Sequence, residues 1–164
     1  MSYRPTATLT TATLSEAQAY DTAIKQGFAL LASPIDNHRL KTALHHDTCG
    51  ALVTFEGWVR NHNNTRPVKA LHYHAYEQLA LAQGAQLAAA VKQQFAIVHA
   101  LAVHRVGELA IGDMAIWIGI TAAHRQPAFA ACEWLLNAIK ADVAIWKQEF
   151  YHDSDAALWL SNNG

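Results

Sequence analysis

The eight residues Met114 to Thr121, MAIWIGIT, carry no charge and alternate Met114, Ile116, Ile118 and Ile120 with Ala115, Trp117 and Gly119. This period of two predicts a strand with one face in a core. Directly after it, Gln126 to Lys140 steps at helical intervals through Phe129, Cys132, Leu136 and Ile139, with Pro127 tolerated in the first turn. The same alternation of patterns runs through the chain. Phe28–Ala32, Gly50–Val59, Val68–Tyr76 and Ile97–Val106 predict strands, and Ala144–Tyr151 reads as an extended aromatic segment. Asp36 caps a helix through about His46, and Glu77–Phe95 predicts a helix with Leu79, Ala82, Gln86 and Ala89 on one stripe, weakened by Gly84. Arg60–Pro67 predicts a loop, and Gly107 and Gly112 a turn between strands. Helices between strands without an internal repeat define an α+β, or mixed α/β, single domain. Its bounds are placed at 22–152, after a poorly patterned lead-in at 1–21 that is loose or one short helix, and before a surface tail at 153–164.

Composition narrows the class. The chain has 164 residues, 52% hydrophobic and 15% charged, with 12 Lys plus Arg against 13 Asp plus Glu and a formal net charge of -1. A strongly basic nucleic-acid binder, an acidic tail and a disordered chain would each depart further from this balance. Cys49 and Cys132 make no disulfide framework and no CxxC pair, so both read as small buried hydrophobes in a reducing compartment. No apolar run has the length of a signal peptide or a membrane span, and a cytoplasmic protein is expected.

The signatures GxGxxG, GxxxxGK[ST], GxSxG and HExxH do not occur. Of the ten histidines, His72 and His74 share a strand face as two metal ligands would, but no third ligand has recognisable spacing, and no metal is expected. Arg60 leaves an apolar strand among the amides Asn61, Asn63 and Asn64, and its guanidinium suits a carboxylate or phosphate. Thr121-Ala-Ala-His124-Arg125 crosses from strand to helix, where free backbone N–H groups and the helix dipole favour an anion. Lys140 and Lys147 lie seven residues apart, with the helix ending between them. Lysines held among apolar walls and other cations suit proton transfer or a covalent link.

Four blocks together are more specific than any one alone: GALVTFEGWVRNHN from Gly50, VHRVGEL from Val103 with Gly112-Asp113, Ala123-His-Arg125, and Lys140 to Trp146-Lys-Gln-Glu149. Their order and spacing, from about Phe28 to Phe150, resemble the large, catalytic subunit of molybdopterin synthase. The resemblance implies an α/β hammerhead fold, a dimer of large subunits, and a small ubiquitin-like partner at each end of a heterotetramer. The partner's C-terminal Gly-Gly tail would carry a thiocarboxylate into a pocket where cyclic pyranopterin monophosphate receives two sulfurs as a dithiolene. No metal or organic cofactor is implied, since the partner supplies the sulfur.

The positions matching that pocket are Trp58, Val59 and Arg60, then His124 and Arg125, then Lys140, and finally Lys147, Gln148 and Glu149. The resemblance assigns Lys140 to the partner's tail and Lys147 to the pterin, and Glu149 suits an orienting role if its segment is extended. All five cations, His124 included, are expected to converge on one pocket with the carboxylates elsewhere. Three residues depart from the family pattern: Ala144 stands where proline is usual, which loosens the chain there, Gln148 replaces a basic residue, and His74 an acidic one. The contrasting reading is a non-catalytic module of the same fold that docks a ubiquitin-like tail.

Overall fold

A computed structural model of the chain describes residues 15–161. In order it forms α1 (Glu16–Gln26), β1 (Phe28–Leu31), α2 (Asn37–Leu44), β2 (Ala51–Trp58), β3 (His62–Asn63), β4 (Arg66–Ala75) and α3 (Glu77–Gln94). There follow β5 (His99–Arg105), β6 (Gly107–Ala110), β7 (Met114–Ala122), α4 (Arg125–Asp142), β8 (Ile145–Tyr151) and β9 (Ser154–Ser161). This is the mixed α/β architecture expected. Asp36 caps α2 as predicted, its Oδ1 accepting the Arg39 N–H at 3.1 Å.

The first sheet has the order β1-β5-β7-β2, with β1 parallel to β5 and the other pairs antiparallel. It is covered on both faces. Ile116, Ile118 and Ile120 share one core with Ala80 and Val91 of α3 and Ala128, Leu135 and Ile139 of α4. Trp117 points the other way, into a second core with Tyr20 and Ala23 of α1 and Leu40 and Leu44 of α2. The alternation in Met114–Thr121 therefore separates two buried faces, where a single core face was expected. An antiparallel strand with no charge to put in water has to be covered twice.

The helices bury narrower residues than the sequence stripes suggest. In α3 the buried positions are Ala80, Gly84, Ala88 and Val91, while Leu79 is 51% exposed. In α4, Cys132 and Ile139 are buried as expected, but Ala128, Ala131 and Leu135 complete the face and Phe129 is 63% exposed. Small side chains let each helix lie close to the sheet, and the larger residues of the expected stripes turn outward. Gly84 is the tightest contact: a Cβ there would sit 2.2 Å from the Phe28 ring.

The second sheet has the order β3-β4-β8-β9, with β6 also paired to β4. Three of its strands depart from expectation. The polar run Arg60–Pro67 holds the hairpin β3–β4, which turns on Asn64 and Thr65, both at positive φ (45° and 72°), so it is not an open loop. Gly107, expected in a turn, opens β6. The supposed tail is β9, which pairs antiparallel with β8 through Trp146↔Ser161, Gln148↔Trp159 and Glu149↔Leu158; it supplies the backbone partners that an edge strand would otherwise lack. The boundary placed at residue 21 falls inside α1, whose capping box pairs Ser15 with Gln18. The rest of the lead-in, residues 1–14, and residues 162–164 lie outside the described residues. No described helix is long and apolar enough to cross a membrane.

Alanine for glycine inside a helix ordinarily stabilises by about 1 kcal/mol. At Gly84 the sign reverses, because the methyl group enters the Phe28 ring. Gly84→Ala is expected to lose about 1–3 kcal/mol in urea unfolding.

Candidate active site

A cavity of about 620 Å³ opens where the end of β2, the last turn of α4 and the inner face of the second sheet meet. Strand alternation places Lys147, Glu149 and Tyr151 of β8 on the same, inward face. Lys147 Nζ lies 3.3 Å from Glu149 Oε1, both side chains being almost wholly buried. The segment is extended, so the two-residue spacing puts both side chains on one face of β8. Glu149 Oε2 accepts hydrogen bonds from Asn63 Nδ2 at 2.9 Å and from the Tyr151 hydroxyl. Burial pushes the Glu149 carboxyl up, but these two donors and the Lys147 ammonium outweigh it and hold the group below its ordinary range.

Lys140 enters from the last turn of α4, where the helix dipole favours a cation, and the helix ends at Asp142, between the two lysines as expected. Trp58, 62% exposed, and Arg60, also exposed, stand at the cavity's rim with Val59 buried between them. Val59 donates its N–H to the Asp113 carbonyl at 3.0 Å and accepts the Gly112 N–H at 2.9 Å. Asp113 in turn pairs with Arg105 at 3.0 Å and accepts the Ala110 N–H. The VHRVGEL block and Gly112-Asp113 thus fix the backbone from which Arg60 projects.

The wall also holds residues not named as site residues from the sequence, His104, Tyr73 and Asn63 among them. His104 is 2% exposed, and its Nδ1 donates to the Arg105 carbonyl at 2.8 Å, which leaves Nε2 as the acceptor nitrogen. Burial first, opposed by that hydrogen bond, and then the Lys140 charge bring its pKa down to about 4. Tyr73 packs edge-on against His104 at 4.8 Å, and burial and the Glu149 charge push its hydroxyl up to about 12. For Tyr151, the period-two step from Glu149 was the available signal; for Asn63 and His104 it was membership of the quoted blocks.

Not every expected residue converges. His124, the N-cap of α4, and Arg125, its first residue, are exposed, and even Arg125 stands fifteen residues before Lys140, or roughly 23 Å along the axis. They do not line the cavity. Gln148 alternates to the opposite face of β8, beside His72 and Trp159. Nor are carboxylates kept away: Glu56 lines the cavity with Glu149, and accepts from Asn37 at 3.0 Å. The alternation that brings Lys147 inward also brings Glu149, so the pocket is a mixed field. Ala144 is also tied down, its N–H donating to Gln83 Oε1 at 2.9 Å, a bond that proline cannot make. His72 and His74 do share a face, stacked at 4.1 Å with Trp159 against His74, and no metal-holding group of three ligand-type side chains occurs among the described residues.

The family model described as MoaE protein matches residues 30–142. A Nostoc sp. protein named molybdopterin synthase catalytic subunit is 32% identical over 139 residues, covering 84% of each chain. The crystal structure of molybdopterin synthase from Staphylococcus aureus superposes with a TM-score of 0.75 at 30% identity, over 80% of this chain and 94% of that one. A complex of subunits 1 and 2 of molybdopterin-converting factor from Helicobacter pylori shares the fold, with a TM-score of 0.64 at 21% identity, over 77% of this chain and 86% of that one. The chain belongs to the MoaE protein family.

His104 generates a pH prediction. Its folded pKa of about 4 lies below the ordinary 6.5, so the unfolded chain takes up the proton first as the solution is acidified. The stability that the neutral ring contributes is whole above pH 6.5 and is lost between 6.5 and 4, amounting to about 3 kcal/mol. Urea unfolding at pH 7 and at pH 4.5 should show a smaller acid loss in His104→Gln than in the parent chain.

Proposed function

We propose that this chain is the catalytic subunit of a molybdopterin synthase, an enzyme of molybdenum cofactor biosynthesis. It transfers sulfur from the C-terminal thiocarboxylate of a small ubiquitin-like partner to cyclic pyranopterin monophosphate, forming the dithiolene. The observation that carries this reading is the meeting of Lys140 with the buried Lys147–Glu149 pair in one cavity, rimmed by Arg60. Family membership and the two-subunit complex of the Helicobacter pylori relative support it.

Two anions, a phosphate and an acyl sulfur, have to be held close together, and cations at the ends of rigid elements do this with little reorganisation. Lys140 positions the thiocarboxylate and carries a proton during its breakdown. Lys147, oriented by Glu149, serves as general acid or base at the pterin. Arg60 binds the phosphate from the rim. Trp58 offers an exposed ring beside it for the planar pterin.

In this reading His124 and Arg125 also bind phosphate. Since they lie at the far end of α4 from Lys140, they reach a pocket only in a dimer, and the pocket they complete is the second copy's. Gln148, on the outer face of its strand, takes no part in substrate binding. The sulfur comes from the partner, and no other cofactor is invoked.

The direct test mixes the purified chain with thiocarboxylated small subunit and cyclic pyranopterin monophosphate and assays molybdopterin. Lys140→Ala is expected to reduce product formation by about 100-fold or more with an unchanged far-UV circular dichroism spectrum. A folded complex of the parent chain with its partner that yields no product would overturn the proposal and favour a module that only docks the tail. Mixing Lys140→Ala with Arg125→Ala is expected to restore part of the activity that each lacks alone, through mixed dimers holding one intact pocket.

A further inference from the structure

Glu149 is 3% exposed, and its two oxygens face different partners. Oε1 faces the Lys147 ammonium at 3.3 Å. Oε2 receives Asn63 Nδ2 at 2.9 Å and the Tyr151 hydroxyl. The donors come from separate places: Asn63 from the β3–β4 hairpin, 86 residues away in sequence, and Tyr151 from β8 itself. The Tyr151 ring is held in turn, with the Arg66 guanidinium 3.8 Å from its centroid and anchored to Asp153 at 2.9 Å. A carboxylate bonded through one oxygen only would be free to rotate about its Cγ–Cδ bond. Two donors converging on Oε2 prevent that rotation and leave Oε1 for the lysine.

We infer that Asn63 and Tyr151 are positioning residues, which clamp Glu149 in the rotamer that aims the Lys147 ammonium into the cavity. The role in turnover rests on the function proposed above; the clamp itself rests on the geometry alone. The two-residue strand β3 thereby serves the site through one amide, although neither of its residues is among the buried core. The titratable and charged groups around Glu149 are Lys147 and Tyr151 from β8, Tyr73 and Arg66 from β4, Lys140 from α4 and His104 from β5, with Glu56 of β2, Arg60, and His62 of β3 on the wall of the same cavity. Of these only Lys147 and Tyr151 bond to it directly.

Tyr151→Phe removes one hydroxyl and keeps the ring beneath Arg66; Asn63→Ala removes the other donor. Two readouts are needed: titration of the Glu149 side-chain carboxyl by carbon-13 NMR in the full chain, and steady-state kinetics with the thiocarboxylated partner. Each variant is expected to titrate Glu149 at higher pH than the parent, to shift the acid limb of the rate profile the same way, and to lower kcat about tenfold with KM within about twofold. An unchanged Glu149 titration in both variants overturns the clamp, whatever the activity. A shifted titration with unchanged kcat overturns its role in aiming Lys147. If the parent chain makes no molybdopterin while both variants shift the titration, the proposed function fails and the clamp stands as a property of the pocket. Thermal unfolding of Tyr151→Phe close to that of the parent shows that the fold is intact.

Discussion

Trp117 and its neighbours Ile116 and Ile118 project into opposite halves of the core, so the central strand β7 has to be covered on both sides. The helices divide accordingly, α1 and α2 on one face, α3 and α4 on the other. Covering a sheet closely with helices demands small residues, which is why Gly84 and the alanines of α3 and α4 form the buried stripes. Seated on the sheet in this way, α4 runs from an exposed start at Arg125 to a last turn whose Lys140 meets the second sheet. The place of the cavity follows from that path.

Inside the cavity the problem changes from packing to charge. A lysine and a glutamate that are both nearly inaccessible to water each incur a desolvation cost, and their mutual attraction offsets it only when the remaining lone pairs are satisfied. Asn63 and Tyr151 satisfy them. Removing either partner of such a pair leaves a buried charge uncompensated, which costs far more than the pair contributes. Arg60 belongs to the other regime, exposed at the rim, where a guanidinium is free to meet an incoming anion.

Long, regular elements were legible because their periodicity is a property of the chain itself. The strands β2, β5 and β7 and the helices α2, α3 and α4 lie within a few residues of where the pattern puts them. β3, β6 and β9 were not, being short or polar and defined by the strand they pair with; nothing in Ser154–Ser161 announces that Glu149 and Gln148 will lie alongside. The site divides in the same manner. Arg60, Lys140 and Lys147 stood out by their places at element ends among apolar residues, and Glu149 came with the family-like blocks. His104, Tyr73 and Tyr151 acquire their places from strand register and burial, and Asn63 from a hairpin that reads as an open loop. His124 and Arg125 were grouped with the lysines through the resemblance, although the helix legible between Gln126 and Lys140 already sets its two ends apart.

The strand β9 has a bearing on more than the edge it covers. It lies along β8, the strand that carries Lys147 and Glu149, and the backbone bonds between them flank both residues. Without β9, the strand that carries the buried ion pair would be an edge strand, paired with β4 alone.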